Sequence, residues 1–184
     1  MIIGDPSIFA IESQITKAYA RSSFRGLGFF VIHIAGHIYG VREPDATMLA
    51  VSFDEVGRRL ARRGEHSAPF ALTPDPGNLA DMYRNAVWSL DAGEELKSFA
   101  DAISLGRIDW APDGDEAFDD GSYVLQFDVE GWVRLIGFKS GEDGMRDPST
   151  LSDVWLSSEQ FYGVLEKWQA DFLTEWTASD KAPE

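Results

Sequence analysis

The stretch Asp109 to Gly121, DWAPDGDEAFDDG, carries six carboxylates (Asp109, Asp113, Asp115, Glu116, Asp119 and Asp120) and no basic residue. Three kinds of chemistry use such a cluster: calcium chelation, acid–base hydrolysis and recognition of a basic partner. An EF-hand loop needs oxygen ligands at positions 1, 3 and 5, glycine at 6 and glutamate at 12. Counted from Asp113, Asp115 takes position 3, but Ala117 and Phe118 fall at 5 and 6. Counted from Glu116, Asp120 and Gly121 fit 5 and 6, but Phe118 and Phe127 occupy 3 and 12. A calcium site of another type stays open. Hydrolysis by a carboxylate pair needs two acids across a cleft, one with a raised pKa. Asp119 and Asp120 are neighbours that point to opposite faces of an extended chain, and hydrated carboxylates resist such separation of pKa values. Distant partners such as Asp128 or Glu43 keep open an alternative reading, a hydrolase that uses acidic residues with or without a divalent metal.

The other reactive side chains offer less. His33 lies inside the apolar run LGFFVIHI, where a satisfied sheet histidine is the simple account, and His37 sits in an adjacent turn. With His66, the three histidines give no HExxH spacing, and the chain has no GxSxG elbow, phosphate loop or dinucleotide fingerprint. Arg58, Arg59, Arg62 and Arg63 could bind an anion, yet cations are also favoured at a helix C-terminus for local reasons. Pairing with the acidic half of the chain is a third account of them. With no cysteine, disulfides, thiolate metal sites and cysteine nucleophiles are excluded, which fits a reducing cytoplasm. The N-terminus lacks the pattern of a secretion signal, and the longest apolar run is too short to span a bilayer.

Charge is the strongest compositional signal. The 184 residues carry a net charge of −15, distributed unevenly. Residues 1–107 hold 13 acidic and 11 basic groups, whereas residues 108–184 hold 18 and 5. Nucleic acid and anionic membranes, which require clustered Lys and Arg, are therefore poor candidates, and neither is expected as a partner. A basic protein is the natural complement, and a third reading is a regulatory or structural protein whose acidity only maintains solubility.

The elements that must position these groups follow from periodicity. IFAIESQI alternates as a strand, and LGFFVIHI, a Gly36-His37 turn and IYGV make a hairpin. From Ser52 the period becomes helical, with Ser52 and Glu55 in a capping-box pattern and Gly64 at the end. LADMYRNAVWSL is amphipathic, and EELKSFADAISLG gives a shorter helix. SYVLQFDV, a Glu130-Gly131 turn and WVRLIGF form a second hairpin, with Gly121 turning the chain into it. KSGEDGMRDPST reads as loop, followed by a short VWL strand. SSEQFYGVLEKWQADFLTEW then forms a long helix, capped by Ser157 and Gln160, with Phe161, Val164, Leu165, Trp168 and Phe172 inward. Trp176 also fits that stripe; Tyr162 and Trp176 are less regular and could reach the surface as interface anchors, with the core as their default place. The expectation is one α+β domain over 1–184 with frayed last residues. Its mostly antiparallel sheet is built from two hairpins plus an N-terminal strand, with helices on one face and a long C-terminal helix.

Two blocks, GDPSIFAIE and FDDGSYVLQFDVEGWVRLIGF, resemble the immunity protein 42 family of bacterial polymorphic toxin systems. The resemblance implies a non-catalytic cytoplasmic protein, without a cofactor, that protects the cell from a toxin encoded beside it. It carries no set of contact residues. The residues themselves point to Asp113, Asp115, Glu116, Asp119 and Asp120 as electrostatic contacts for a basic toxin, with a nuclease as one candidate. Asp109 and Trp110 lie at the edge of that patch, Trp110 as its aromatic anchor.

Overall fold

A computed structural model describes residues 1–88, 94–110, 116–141 and 144–183 of the chain. The architecture is α+β and antiparallel, and the strands divide between two sheets. In the first, β1 (Ile2–Asp5), β2 (Phe9–Ala18), β3 (Gly26–Ile34) and β4 (His37–Tyr39) lie in sequence order, and β5 (Thr47–Met48) also pairs with β3. In the second, β6 (Ser122–Val129), β7 (Trp132–Ser140) and β8 (Arg146–Ser157) form a meander. The helices are α1 (Leu49–Ala61), α2 (Pro76–Trp88), α3 (Glu94–Gly106) and α4 (Ser158–Ala178).

The second sheet is buried on both faces, because residues on β6 and β7 alternate between two cores. Val124, Val133, Leu135 and Leu156 join Phe9, Ile11, Phe30 and Ile32 of the first sheet, Val56 of α1, and Phe161, Leu165, Trp168 and Phe172 of α4. Leu125, Phe127, Ile136 and Phe138 instead meet Leu79 and Tyr83 of α2 and Phe99 and Ile103 of α3. Burial on both faces explains why YVLQF and LIGF read as near-continuous apolar runs. The helices accordingly pack in two groups, α1 and α4 against the first sheet and α2 with α3 against the second.

Local chemistry sets the boundaries. Glu130 and Gly131 both have positive φ, 44° and 87°, as a two-residue hairpin turn between right-twisted strands requires. Gly121, at φ 78°, turns the chain into β6. Ser157 caps α4: its hydroxyl accepts from the Gln160 amide, and Gln160 reaches back to the Ser157 N–H. The capping box expected at Ser52 does not form. The β5 strand runs directly into α1, which starts three residues earlier at Leu49, leaving Ser52 buried in the helix and Glu55 free to pair with Arg58 and Arg59. The region read as loop before VWL is strand from Arg146 onward, since β8 is 12 residues long. Tyr162 lies in the core, the default for a residue of that stripe, and Trp176 is half-buried with its indole N–H donating to the Tyr19 and Arg25 carbonyls.

Tyr39 makes a close contact between the two sheets. The Tyr39 ring lies directly over Gly137, where any Cβ would overlap it. The Tyr39 hydroxyl donates to the Thr150 carbonyl at 2.6 Å and contacts the Ser152 hydroxyl at 2.7 Å. Ser152 in turn donates to the Ile34 carbonyl at 3.1 Å, closing the seam. On the outer face of the first sheet, His33 bonds Glu12 at 3.0 Å, and Arg42 holds the same carboxylate at 2.7 Å. His33 is thus the satisfied sheet histidine its sequence context implied.

Candidate functional site

The acidic segment is anchored by its apolar residues and presents its charges from that anchor. Ala117 and Phe118 are buried in the main core, and the Ala117 carbonyl accepts from the Val41 N–H at 2.8 Å. The one-turn 3₁₀ helix Glu116–Phe118 therefore leaves Glu116 and Asp119 exposed on either side of the buried pair. Asp120 is half-buried and already engaged, accepting from the Ser122 N–H and forming an ion pair with Lys139. Asp113 and Asp115 lie outside the described residues.

The other two residues of the expected patch point inward. Trp110 is 1% exposed, in the first core. Its ring stacks on Phe30 at 6.4 Å and meets the Phe161 ring edge-on, and its N–H donates to Gln126 Oε1 at 3.2 Å. An indole held this way offers no surface to a partner. Asp109 forms a bridge to Leu125, its carbonyl accepts from Arg59, and its carboxylate takes a long 3.5 Å bond from the Tyr83 hydroxyl.

Between these residues lies a buried polar network that the sequence did not announce. Arg59, 0% exposed, donates to Gln126 Oε1 at 2.9 Å, pairs with Glu55 at 2.9 Å and sits 4.4 Å from the centre of the Trp110 ring. Burial pulls its pKa down to about 10, against the pull of Glu55 and Asp109, so it stays charged at neutral pH. Gln126 donates onward to Tyr162 Oη at 2.9 Å and to Asp128 at 3.2 Å. Tyr162 donates to Asp128 at 2.8 Å, and Asp128 also accepts from the backbone N–H groups of Gly64 and His66. Burial, with the Asp128 charge beside it, raises the Tyr162 pKa and fixes the hydroxyl as donor. His66 turns Nδ1 to the carbonyls of Gly106 and Arg107, so that nitrogen carries the proton, while the buried Nε2 has no partner among the described residues. Burial and the nearby Arg59 charge lower its pKa. This network ties α1, the 64–66 turn, the 106–110 segment, β6 and α4 together: its buried cation pairs with Glu55, and the Asp128 carboxylate is held by hydrogen bonds.

Its surface arginine neighbours are also paired: Arg58 with Glu55, Arg62 with Glu65, and Arg63 with Glu166 at the limit of 3.9 Å. Self-pairing is therefore the account that fits the arginine cluster. Among the described residues, no three His, Asp or Glu side chains converge on a position that could hold a metal ion. No described helix is long and apolar enough to cross a membrane.

The family model for immunity protein 42 matches residues 1–171, nearly the whole chain. The chain belongs to the immunity protein 42 family. As an immunity protein, it has a cognate toxin as its partner and toxin neutralisation as its role. A solved structure, the crystal structure of CdiI from Burkholderia dolosa AUO158, shares the fold with a TM-score of 0.61 at 16% identity. The match covers 93% of this chain and 99% of that one. No curated protein sequence matches the chain.

The feature that sequence reasoning passed over on this immunity protein is a pair of open indoles. Trp132 is 53% exposed and Trp155 42%, and they are the exposed aromatic side chains among the described residues. The signal available was position: the β6–β7–β8 register places Trp155 and Trp132 in the last two rows of the second sheet.

Proposed function

We propose that this immunity protein acts in the cytoplasm, without catalysis, by binding its cognate toxin directly and stoichiometrically through an acidic surface. The observation that carries the reading is the 3₁₀ turn, where a buried Ala117–Phe118 pair holds Glu116 and Asp119 out to solvent. Asp120 borders them, and residues 108–184 hold 18 acidic against 5 basic groups. A field of that sign steers a basic partner toward the surface and raises its association rate, more strongly at low salt. The partner this favours is a toxin with a basic face, such as a nuclease whose active-site cleft is built for phosphate.

The test is the kinetics of association between the purified chain and the toxin encoded beside it, across a salt series. Charge reversal at Glu116→Lys with Asp119→Lys is expected to slow association about tenfold at low salt and to flatten its salt dependence, with dissociation little changed. A wild-type chain that forms no complex with that toxin would remove direct binding as the mechanism. A complex whose association rate ignores both substitutions would move the acidic contact elsewhere.

A further inference from the structure

The uncovered end of the second sheet carries an apolar, acid-rimmed cleft. On the face that α2 and α3 cover, successive cross-strand rows are Leu125–Ile136–Asp153, Phe127–Arg134–Trp155 and Val129–Trp132–Ser157. The helices and the 70–73 segment cover the first rows: Phe70 lies edge-on to Phe127, and the carbonyls of Ala71 and Thr73 accept from the Arg134 guanidinium. The last row is open. Val129, Glu130, Trp132 and Trp155 line one depression there, and Leu72, 66% exposed, lies between the two carbonyls that hold Arg134. Trp132 and Trp155 are diagonal neighbours across β7 and β8 and line the same depression. Arg134 already lies against the Trp155 ring at 5.5 Å and is neutralised by Asp153 at 2.8 Å. The charge without an ion-pair partner among the described residues that lines the depression is therefore acidic: exposed Glu130 in the turn.

Two half-open indoles beside a free carboxylate make a receptor for a cation, because the ring face attracts positive charge and the carboxylate supplies the counter-ion. We propose that this cleft carries most of the affinity for the toxin, taking an arginine or lysine side chain of the toxin against Trp132 and Trp155 with Glu130 as its partner. This rests on the direct-binding reading and adds a second contact to it. The Glu116–Asp119 turn precedes β6 and the cleft follows it. The eight residues of β6 span roughly 25 Å at the usual strand rise. The acidic turn sets how fast the toxin arrives, and the cleft sets how long it stays.

The test measures dissociation of the purified toxin domain encoded beside this chain from wild type and three variants: Trp132→Ala, Trp132→Ala with Trp155→Ala, and Glu130→Lys. The double substitution is expected to speed dissociation about 100-fold and Glu130→Lys about 10-fold, with association within about threefold of wild type. Trp132→Ala and Glu130→Lys alter exposed side chains and keep the test valid if the double variant fails to fold. A wild-type complex that releases the toxin at the same rate from all three variants overturns the cleft while leaving direct binding intact. Absence of any wild-type complex overturns both. A wild-type dimer that the double variant converts to monomer, with toxin release unchanged, assigns the cleft to a second copy of the chain and overturns the proposal.

Discussion

Arg59 shows how much one position decides. Four arginines crowd the end of α1, yet only Arg59 continues the stripe through Leu49, Ser52, Phe53 and Val56 that faces the core. Helical spacing therefore could have separated it from its neighbours, since a charge on the buried stripe must be paired inside. Trp110 had no such signal. A tryptophan beside acidic residues in a loop looks like an anchor, and only the Asp109–Leu125 bridge and the Trp110 N–H bond to the Val124 carbonyl lay it along β6 and turn it inward. His66 yields a prediction at this scale. Its folded pKa is lowered, first by burial and then by Arg59, below the ordinary 6.5. A base held neutral in the folded state contributes stability above its unfolded pKa and loses it as pH falls, because the unfolded chain then binds the extra proton. Stability is expected to fall between pH 7 and 5 by at most about 1.4 kcal/mol per pH unit from this group. Urea denaturation of wild type and His66→Gln should show the difference between them shrinking over that range. Glu12 acts in a lower window. Burial alone would raise its carboxyl, but Arg42 and His33 outweigh burial and hold it below the ordinary 4.5, so its share is lost only in more acidic solution.

At the scale of elements, the hairpins were legible because alternation and turn chemistry agree. Positive φ at Ala35, Gly36, Glu130 and Gly131 falls where the sequence breaks its period. The first half of β8 was not legible, since MRDPST has neither alternation nor β-branched content beyond Thr150. Its pairing is imposed by β7, with a register shift between Gly137 and Lys139 that lets the Lys139 N–H turn to the Thr150 hydroxyl at 2.9 Å. The split into two sheets was likewise hidden, because nothing local records that Tyr39 of one sheet must rest on Gly137 of the other. That contact predicts a specific cost. Gly137→Ala is expected to destabilise the fold by about 2–3 kcal/mol through overpacking, and Tyr39→Phe by about 1 kcal/mol through its lost hydrogen bonds. Because the two residues touch, chemical denaturation of the double variant should show a loss that departs from the sum of the single losses.

At the scale of the whole molecule, the two blocks that carry the family resemblance are strands that build both cores: β1 into β2, and β6 through β7. Such a resemblance reports the fold and the family and is silent about surfaces, which is why the acidic turn shows in the composition and the open indoles only in the folded chain. The same division runs through the protein itself, with charge displayed before β6, aromatic surface after it, and a buried polar network between them. One junction governs how these parts open. Ser157 is at once the last residue of β8 and the cap of α4, and the next residue, Ser158, donates its N–H to the Gly131 carbonyl in the β6–β7 turn at 2.8 Å. Edge strands ordinarily fray, and their amides exchange with solvent through small local openings. Here β8 cannot lift from β7 at its Trp155 end without uncapping a helix whose Phe161, Leu165 and Trp168 lie in the main core. Hydrogen exchange followed by mass spectrometry is expected to give residues 154–165 a single, slow opening close to global unfolding, in contrast to the Arg146 end of the same strand. A pull applied to the rim of the sheet at Trp155 is thus borne by the core of the molecule rather than by its edge.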